Sequence, residues 1–299
     1  MSARGGLFSA ELRRFFSRRV VRFAFALGIA LATLVLVIIT ARSDVRTASH
    51  SETQTVCSVP SGTATTNPSN FPGGCTTQTF ISNAPHDHRL KIGANLSDTI
   101  RGTGVAMVLL AFVFGASFIG AEFAAGSIGT QLSFEPRRAR VVVTKAIAVG
   151  IGAALLAIAL LLYIAVLQAV GSSLRGVVSG LDAAWFAARA GDVGRVAAAT
   201  GLAAVVAFAI TVVARRTVAA VAGLIIVLWV SAIIGQLDNW RWVAKYNPTS
   251  ALIQMALNLK TSHHDRSALS LGPATLSSCL WAAGLTIVAA AIFARREVR

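Results

Sequence analysis

AIAVGIGAALLAIALLLYIAVLQAV, Ala146 to Val170, carries no acidic or basic side chain from one end to the other. Such a run is too long for an ordinary core strand and matches the ~20 apolar residues that cross a ~30 Å hydrocarbon layer. In that layer the backbone must satisfy its own hydrogen bonds, so the run reads as a transmembrane helix. Four more runs of the same kind are legible at Phe23–Ala41, Val105–Ala121, Val196–Ala214 and Val218–Ile234, and another at Leu276–Phe293.

Composition agrees with that reading. The chain has 299 residues, 55% hydrophobic and only 13% charged, whereas a soluble domain has about 25% charged residues. The expected fold is therefore an all-α polytopic membrane protein with about six transmembrane helices. The spans fall at about 22–41, 104–121, 141–169, 196–214, 217–236 and 275–294, in one membrane domain covering 1–299. The basic leader and the length of the first run set it apart from a cleavable signal peptide, so it stays as an anchor.

Basic residues give the orientation. With the N-terminus inside, Arg4, Arg13, Arg14, Arg18, Arg19, Arg22, Arg137, Arg138, Arg140, Lys145, Arg215, Arg216, Arg295, Arg296 and Arg299 all lie on inner segments. These segments are less than half as long as the outer ones yet hold more than half of the 27 basic residues, as the positive-inside rule requires. Both termini are then cytoplasmic and the protein sits in a plasma membrane, such as a bacterial inner membrane. The net charge of +15 is assigned to topology and anionic lipid headgroups rather than to nucleic acid, because the arginines flank the spans.

Ahead of the first span, residues 5–20 have helical apolar spacing. Phe8, Leu12, Phe15 and Phe16 fall in one narrow stripe, with Arg13, Arg14 and Arg18 facing elsewhere. This predicts an amphipathic helix lying in the cytoplasmic interface. Residues 42–101 form a long extracytoplasmic loop, and its Cys57 and Cys75 lie on the oxidising side, placed for a disulfide. Cys279, inside the last run, reads as a small buried apolar residue. His86, Asp87 and His88, and His263, His264 and Asp265, are metal-ligand types without the spacing of a closed site, so they read as solvated loop residues and no metal is expected. Between the fifth and sixth spans, in the loop 237–272, Trp240, Trp242 and Tyr246 suit the headgroup level. After Asn247-Pro248, Leu252, Ile253, Ala256 and Leu257 mark a helix too short to span.

Several chemistries are missing from the sequence. It has no G-x-x-x-x-G-K-[ST] loop to cradle phosphates, no H-E-x-x-H and no G-x-S-x-G. No carboxylate pair lies inside a span for acid–base work, so no enzymatic role is expected. The apolar runs contain no Asp, Glu, Lys, Arg or His, which disfavours a proton-coupled carrier. If the chain moves a substrate, another polypeptide supplies the energy.

The inner segment able to receive such a partner is GAEFAAGSIGTQLSFEPRRAR, Gly120–Arg140. Glu122 marks the apolar boundary, where it reaches water or an arginine. Gly126 and Gly129 permit close approach of another backbone, while Phe123, Ile128, Leu132 and Phe134 offer apolar contacts. Pro136 suits the first turn of a new helix reaching about Gln168, with Arg137 and Arg138 at its start.

FGASFIGAEFAAGSIGTQLSFEPRRARVVVTK, Phe114–Lys145, resembles the region around the second and third helices of ABC-2 type permeases, the membrane subunits of ATP-binding-cassette exporters. Glu122, Gly126-Ser127, Pro136-Arg137-Arg138 and Lys145 match the acidic, Gly-Ser, Pro-Arg and lysine positions of that pattern, and YNPTSAL before the last span matches more loosely. The resemblance implies that 122–140 holds a segment coupling the chain to a separate cytoplasmic ATPase, through Glu122, Phe123, Gly126, Ser127, Gly129, Leu132, Phe134, Pro136, Arg137 and Arg138. It also implies a second permease chain, identical or different, and ATP with magnesium bound at the partner ATPase rather than here. The 42–101 loop is longer than in many relatives. Two functions of other kinds fit the same composition: a non-transporting scaffold or sensor with an outer binding loop, and an ion-coupled secondary transporter.

Overall fold

The computed structural model describes residues 3–42, 45–46, 50–57, 75–82, 86–87, 92–128, 137–175, 181–216, 222–223, 225–226, 229–230, 233–234, 241–257 and 269–295. Helix α1 (Ala3–Ser17) is followed after Arg18 by α2 (Arg19–Arg42). Short strands β1 (Val45–Arg46), β2 (His50–Cys57), β3 (Cys75–Ser82) and β4 (His86–Asp87) come next. The helices then resume with α3 (Ile92–Ala124), α4 (Arg138–Arg175), α5 (Ala183–Ala214), α6 (Arg241–Tyr246), α7 (Pro248–Leu257) and α8 (Leu271–Arg295).

Of these, α2, α3, α4, α5 and α8 are each long and apolar enough to cross a membrane. The expected span at 217–236 lies largely outside the described residues, and those of its positions that are described are helical. All the described spans overrun their expected limits. Helix α3 starts at Ile92, so the last ten positions assigned to the outer loop are helix, and α5 starts at Ala183, well before residue 196. Helix α4, with 38 residues, is ~57 Å long at 1.5 Å per residue and overhangs a ~30 Å hydrocarbon layer.

Small residues set the closest helix approaches in the core. Helices α3 and α5 run parallel: Trp185 Nε1 donates to the Gly93 carbonyl at 3.1 Å, and further along Gly104 faces Val196 and Gly115 faces the Ala204 carbonyl. Helix α4 meets α5 where Gly150 and Gly201 lie backbone to backbone. Without a hydrophobic force between helices in lipid, such close approach is what holds spans together. Helix α2 is peripheral. Phe25, Ile29 and Ala32 pack against Leu160, Ile164 and Met107, and Thr33 Oγ1 lies 2.8 Å from Tyr163 Oη, while Phe23, Leu27, Leu31 and Leu34 stay exposed along its other side.

The spans form a helical bundle as expected, and short strands lie between the first two of them. β2 and β3 pair antiparallel over their full length, and β1 pairs with β4. Alternating Thr, Gln and β-branched residues in HSETQTVC and CTTQTFIS favour extended backbone, which span counting does not register. The pairing sets Cys57 opposite Cys75. We predict that peptide mapping of unreduced protein finds these two joined while Cys279 is alkylated. The bond would close the 58–74 loop and contribute about 3 kcal/mol; free thiols at both positions in oxidised protein would refute it. Cys279 itself is free and exposed, so it is not the buried residue the sequence led us to expect. His86 and Asp87 lie in β4; His88 and residues 263–265 fall outside the described residues.

The short helix after Asn247 forms as expected. The Asn247 Oδ1 accepts from the Ser250 amide at 2.8 Å, an N-cap that starts α7. Its Leu252 and Ala256 are fully buried in the bundle, with Thr249, Ala251 and Met255. Trp242 and Tyr246 are exposed, and the Tyr246 carbonyl accepts from Ser277 Oγ and Trp281 Nε1 of α8.

Candidate functional site: a buried ion cluster joining three helices

The α1 stripe faces protein rather than lipid. Phe15 is fully buried, edge-on to Phe16 and tilted against Phe118 of α3 at 5.9 Å. It lies so close over Gly152 of α4 that a Cβ there would sit 2.5 Å from its ring. Phe8, Leu12 and Phe16 flank it and are half-buried. The amphipathic helix is docked on the bundle through Phe15, because the glycine leaves a socket that an aromatic ring fills.

Docking brings charges inside. Glu11 of α1 is 3% exposed, Glu122 at the end of α3 is 6% and Lys145 of α4 is 2%. The Lys145 Nζ stands 3.0 Å from Glu11 Oε2 and 2.9 Å from Glu122 Oε2. Arg18, in the break between α1 and α2, places Nη2 3.2 Å from Glu122 Oε1 and donates through Nη1 to the Ser117 carbonyl at 3.1 Å. Its guanidinium lies over the Phe118 ring at 4.4 Å, with Lys145 Nζ at 5.6 Å, where the ring's negative face attracts a cation. More exposed, Arg14 closes the set on Glu11 Oε1 at 3.2 Å. Burial lowers the Arg18 pKa from its usual value, with Arg14 adding to the effect and Glu122 and Glu11 opposing it.

Taking ions out of water costs several kcal/mol each, and their attraction repays that only when every partner is in place. The cluster therefore works as an all-or-none lock. Helix α1 cannot lift away without leaving Lys145 and Glu122 half-paired in a dry site.

The chain beyond Glu122 departs from expectation. Helix α3 ends at Ala124 and Gly126 takes φ +66°, the left-handed conformation that glycine adopts without penalty. A Cβ at Gly126 would meet nothing of this chain within 4 Å, so within the chain Gly126 serves to end a helix. Ser127 Oγ is 3.4 Å from the Glu122 carbonyl, Ile128 is buried and Phe123 packs on the core. Gly129, Leu132, Phe134 and Pro136 lie outside the described residues. Arg137 is exposed, its carbonyl accepts from the Arg140 amide at 3.0 Å, and α4 starts at Arg138, which is half-buried.

Glu11 was not among the residues the sequence singled out, and Arg18 was read only as facing away from the apolar stripe, although a signal existed. At ~100° per residue Glu11 falls ~40° from Phe15 and Arg18 ~60° from it, so both border the apolar stripe. A second charged set was hidden by the short estimate of the fourth span. Asp192 of α5 is buried between Arg189, whose Nη1 is 2.9 Å from Asp192 Oδ2, and Arg195, which bonds Oδ1. One turn on either side, they neutralise a charge that hydropathy alone would exclude from a span.

Five helices long and apolar enough to cross a membrane make this a multi-pass helical membrane protein. No protein-family model and no curated protein matches the chain.

Proposed function

We propose that the chain is the permease subunit of an ATP-binding-cassette transporter of the ABC-2 type, an exporter of the plasma membrane with both termini cytoplasmic. A second permease chain completes the pathway. ATP and magnesium bind a separate cytoplasmic ATPase, because this sequence has no phosphate-cradling loop. The observation that carries this reading is the position of Glu122. It stands one half-turn before the helix end, and its carboxylate is held by α4 from beyond the 125–137 connection and by Arg18 beside α1. A partner that displaces that connection thereby moves α3, α4 and α1 together, and the spans alternate between inward- and outward-open states if the partner binds the two differently.

The test is co-purification with candidate ATPase subunits. Gly126→Val, strained at a positive φ, and Arg137→Glu, a charge reversal on an exposed side chain, are expected to lower complex recovery and substrate-coupled ATP hydrolysis at least tenfold. Full coupling in both variants would refute the assignment.

Membrane sensing is the alternative, favoured by the β2–β3 hairpin, whose strands offer an edge to which a ligand peptide could add. A neighbouring gene for a P-loop ATPase favours the transporter, and one for a kinase favours the sensor.

A further inference from the structure

A groove of about 310 Å³ runs between α2, α3 and α4, within the range of small-molecule sites. From Phe25 to Ile39 of α2 it extends ~21 Å at 1.5 Å per residue, so its volume is spread along a narrow course that suits one extended chain. Among the described residues no acidic or basic side chain lines it. Its polar wall side chains among them are Thr99, Thr103 and Gln168, and Thr99 and Gln168 meet at one end.

Their hydrogen bonds run one way. Thr99 Oγ1 donates to the Asn95 carbonyl at 2.9 Å, and so accepts from Gln168 Nε2 at 2.6 Å. That leaves Gln168 Oε1, on a side chain 4% exposed, with no partner among the described residues. One turn on, at the i+4 position of α4, the Ser172 hydroxyl is 1% exposed and equally without a partner. Native structures seldom leave buried polar atoms unpaired. An unmet acceptor at the head of a charge-free apolar groove calls for a donor attached to an apolar tail.

We infer that this groove binds a neutral single-chain amphiphile, whose hydroxyl or amide headgroup donates to Gln168 Oε1 while its alkyl chain lies along α2 toward Phe25. Binding is read on this chain alone, so it stands or falls independently of any ATPase partner.

The experiment uses the full chain in nanodiscs and a monoacylglycerol bearing a diazirine in its alkyl chain. Label is expected to concentrate on α2, α3 and α4 peptides that line the groove. Unlabelled monoacylglycerol competes, whereas the same alkyl chain on a quaternary ammonium, which has no hydrogen to donate, competes at least tenfold less well. Gln168→Leu removes the acceptor and lowers labelling about five- to tenfold without lowering the thermal midpoint, since an unpaired buried group disappears. Ala106→Trp, at an exposed wall position, fills the groove and abolishes specific label. Label spread over all lipid-facing helices, equal competition by the ammonium probe, or unchanged labelling of either folded variant would overturn the site. So would cross-linking of two copies through cysteines substituted at Val35, which would make the groove an interface. The competition arms use the wild-type chain and decide the matter even if both variants misfold.

Discussion

Lys145→Met is expected to destabilise the protein by about 3–5 kcal/mol, the usual cost of removing one member of a buried ion set. The lysine is the centre of the cluster. Both carboxylates contact it, within 3.0 and 2.9 Å. Without it Glu11 and Glu122 each keep one arginine on Oε1, Arg14 and Arg18 at 3.2 Å, but the Oε2 atoms turned toward the vacated centre lose their cation. Against a typical stability of 5–15 kcal/mol, that loss removes much of the margin, and the thermal midpoint of the detergent-solubilised chain should fall sharply. The decisive control is the combined variant Glu11→Gln, Lys145→Met, which leaves Glu122 paired with Arg18 at 3.2 Å and Arg14 exposed to water. Once no uncompensated charge is left inside, most of the loss should be recovered, because neutral replacements of a buried ion set are often no less stable than the set itself. The combined variant should also loosen α1, which a protease acting at the exposed Arg13 and Arg14 would report as faster cleavage. A single variant as stable as wild type would show that the cluster is solvated and not a lock.

How far the sequence revealed this structure depends on which signal each element sends. Apolar runs report spans directly, because lipid admits long uncharged helices and little else. Their ends were misplaced wherever a helix continued into polar residues that satisfy one another. Asn95, Asp98 and Arg101 extend α3, with Arg101 3.9 Å from Asp98, and Arg189, Asp192 and Arg195 extend α5. Averaged hydropathy treats such residues as loop, although paired at i,i+3 they are compatible with helix. The site was half legible. Glu122 and Lys145 were visible as charges at apolar boundaries, but their contact joins residues 23 apart across a connection, and the third member, Glu11, lies 134 positions from Lys145. Local periodicity has no access to that pairing. Gly126 carried a readable cue, a glycine just past the last apolar position, which commonly ends a helix, and its φ of +66° shows that role.

The same chemical change at two glycines of α3 should act in opposite directions. At Gly115 a Cβ would stand 2.1 Å from the Ala204 carbonyl oxygen, 2.9 Å from its carbon and 3.0 Å from its Cα. These are backbone atoms of a packed helix and cannot rotate aside, so Gly115→Ala must push α3 and α5 apart by about 1 Å. Core overpacking costs 1–3 kcal/mol when side chains can adjust, and here the expected loss is about 3 kcal/mol or more. At Gly102 a Cβ meets nothing within 4 Å, so Gly102→Ala should stabilise by about 0.5–1 kcal/mol through the lower chain entropy of alanine. Thermal midpoints of the two variants should thus lie on either side of wild type. Second-site changes separate backbone from side-chain contact. At Gly104 the obstacle is the Val196 Cγ2, 2.8 Å away, so Val196→Ala should rescue Gly104→Ala. Ala204→Gly should not rescue Gly115→Ala, since the carbonyl in the way remains. Rescue at Gly115, or loss of equal size at Gly102 and Gly115, would show that α3 and α5 are not in backbone contact at this crossing.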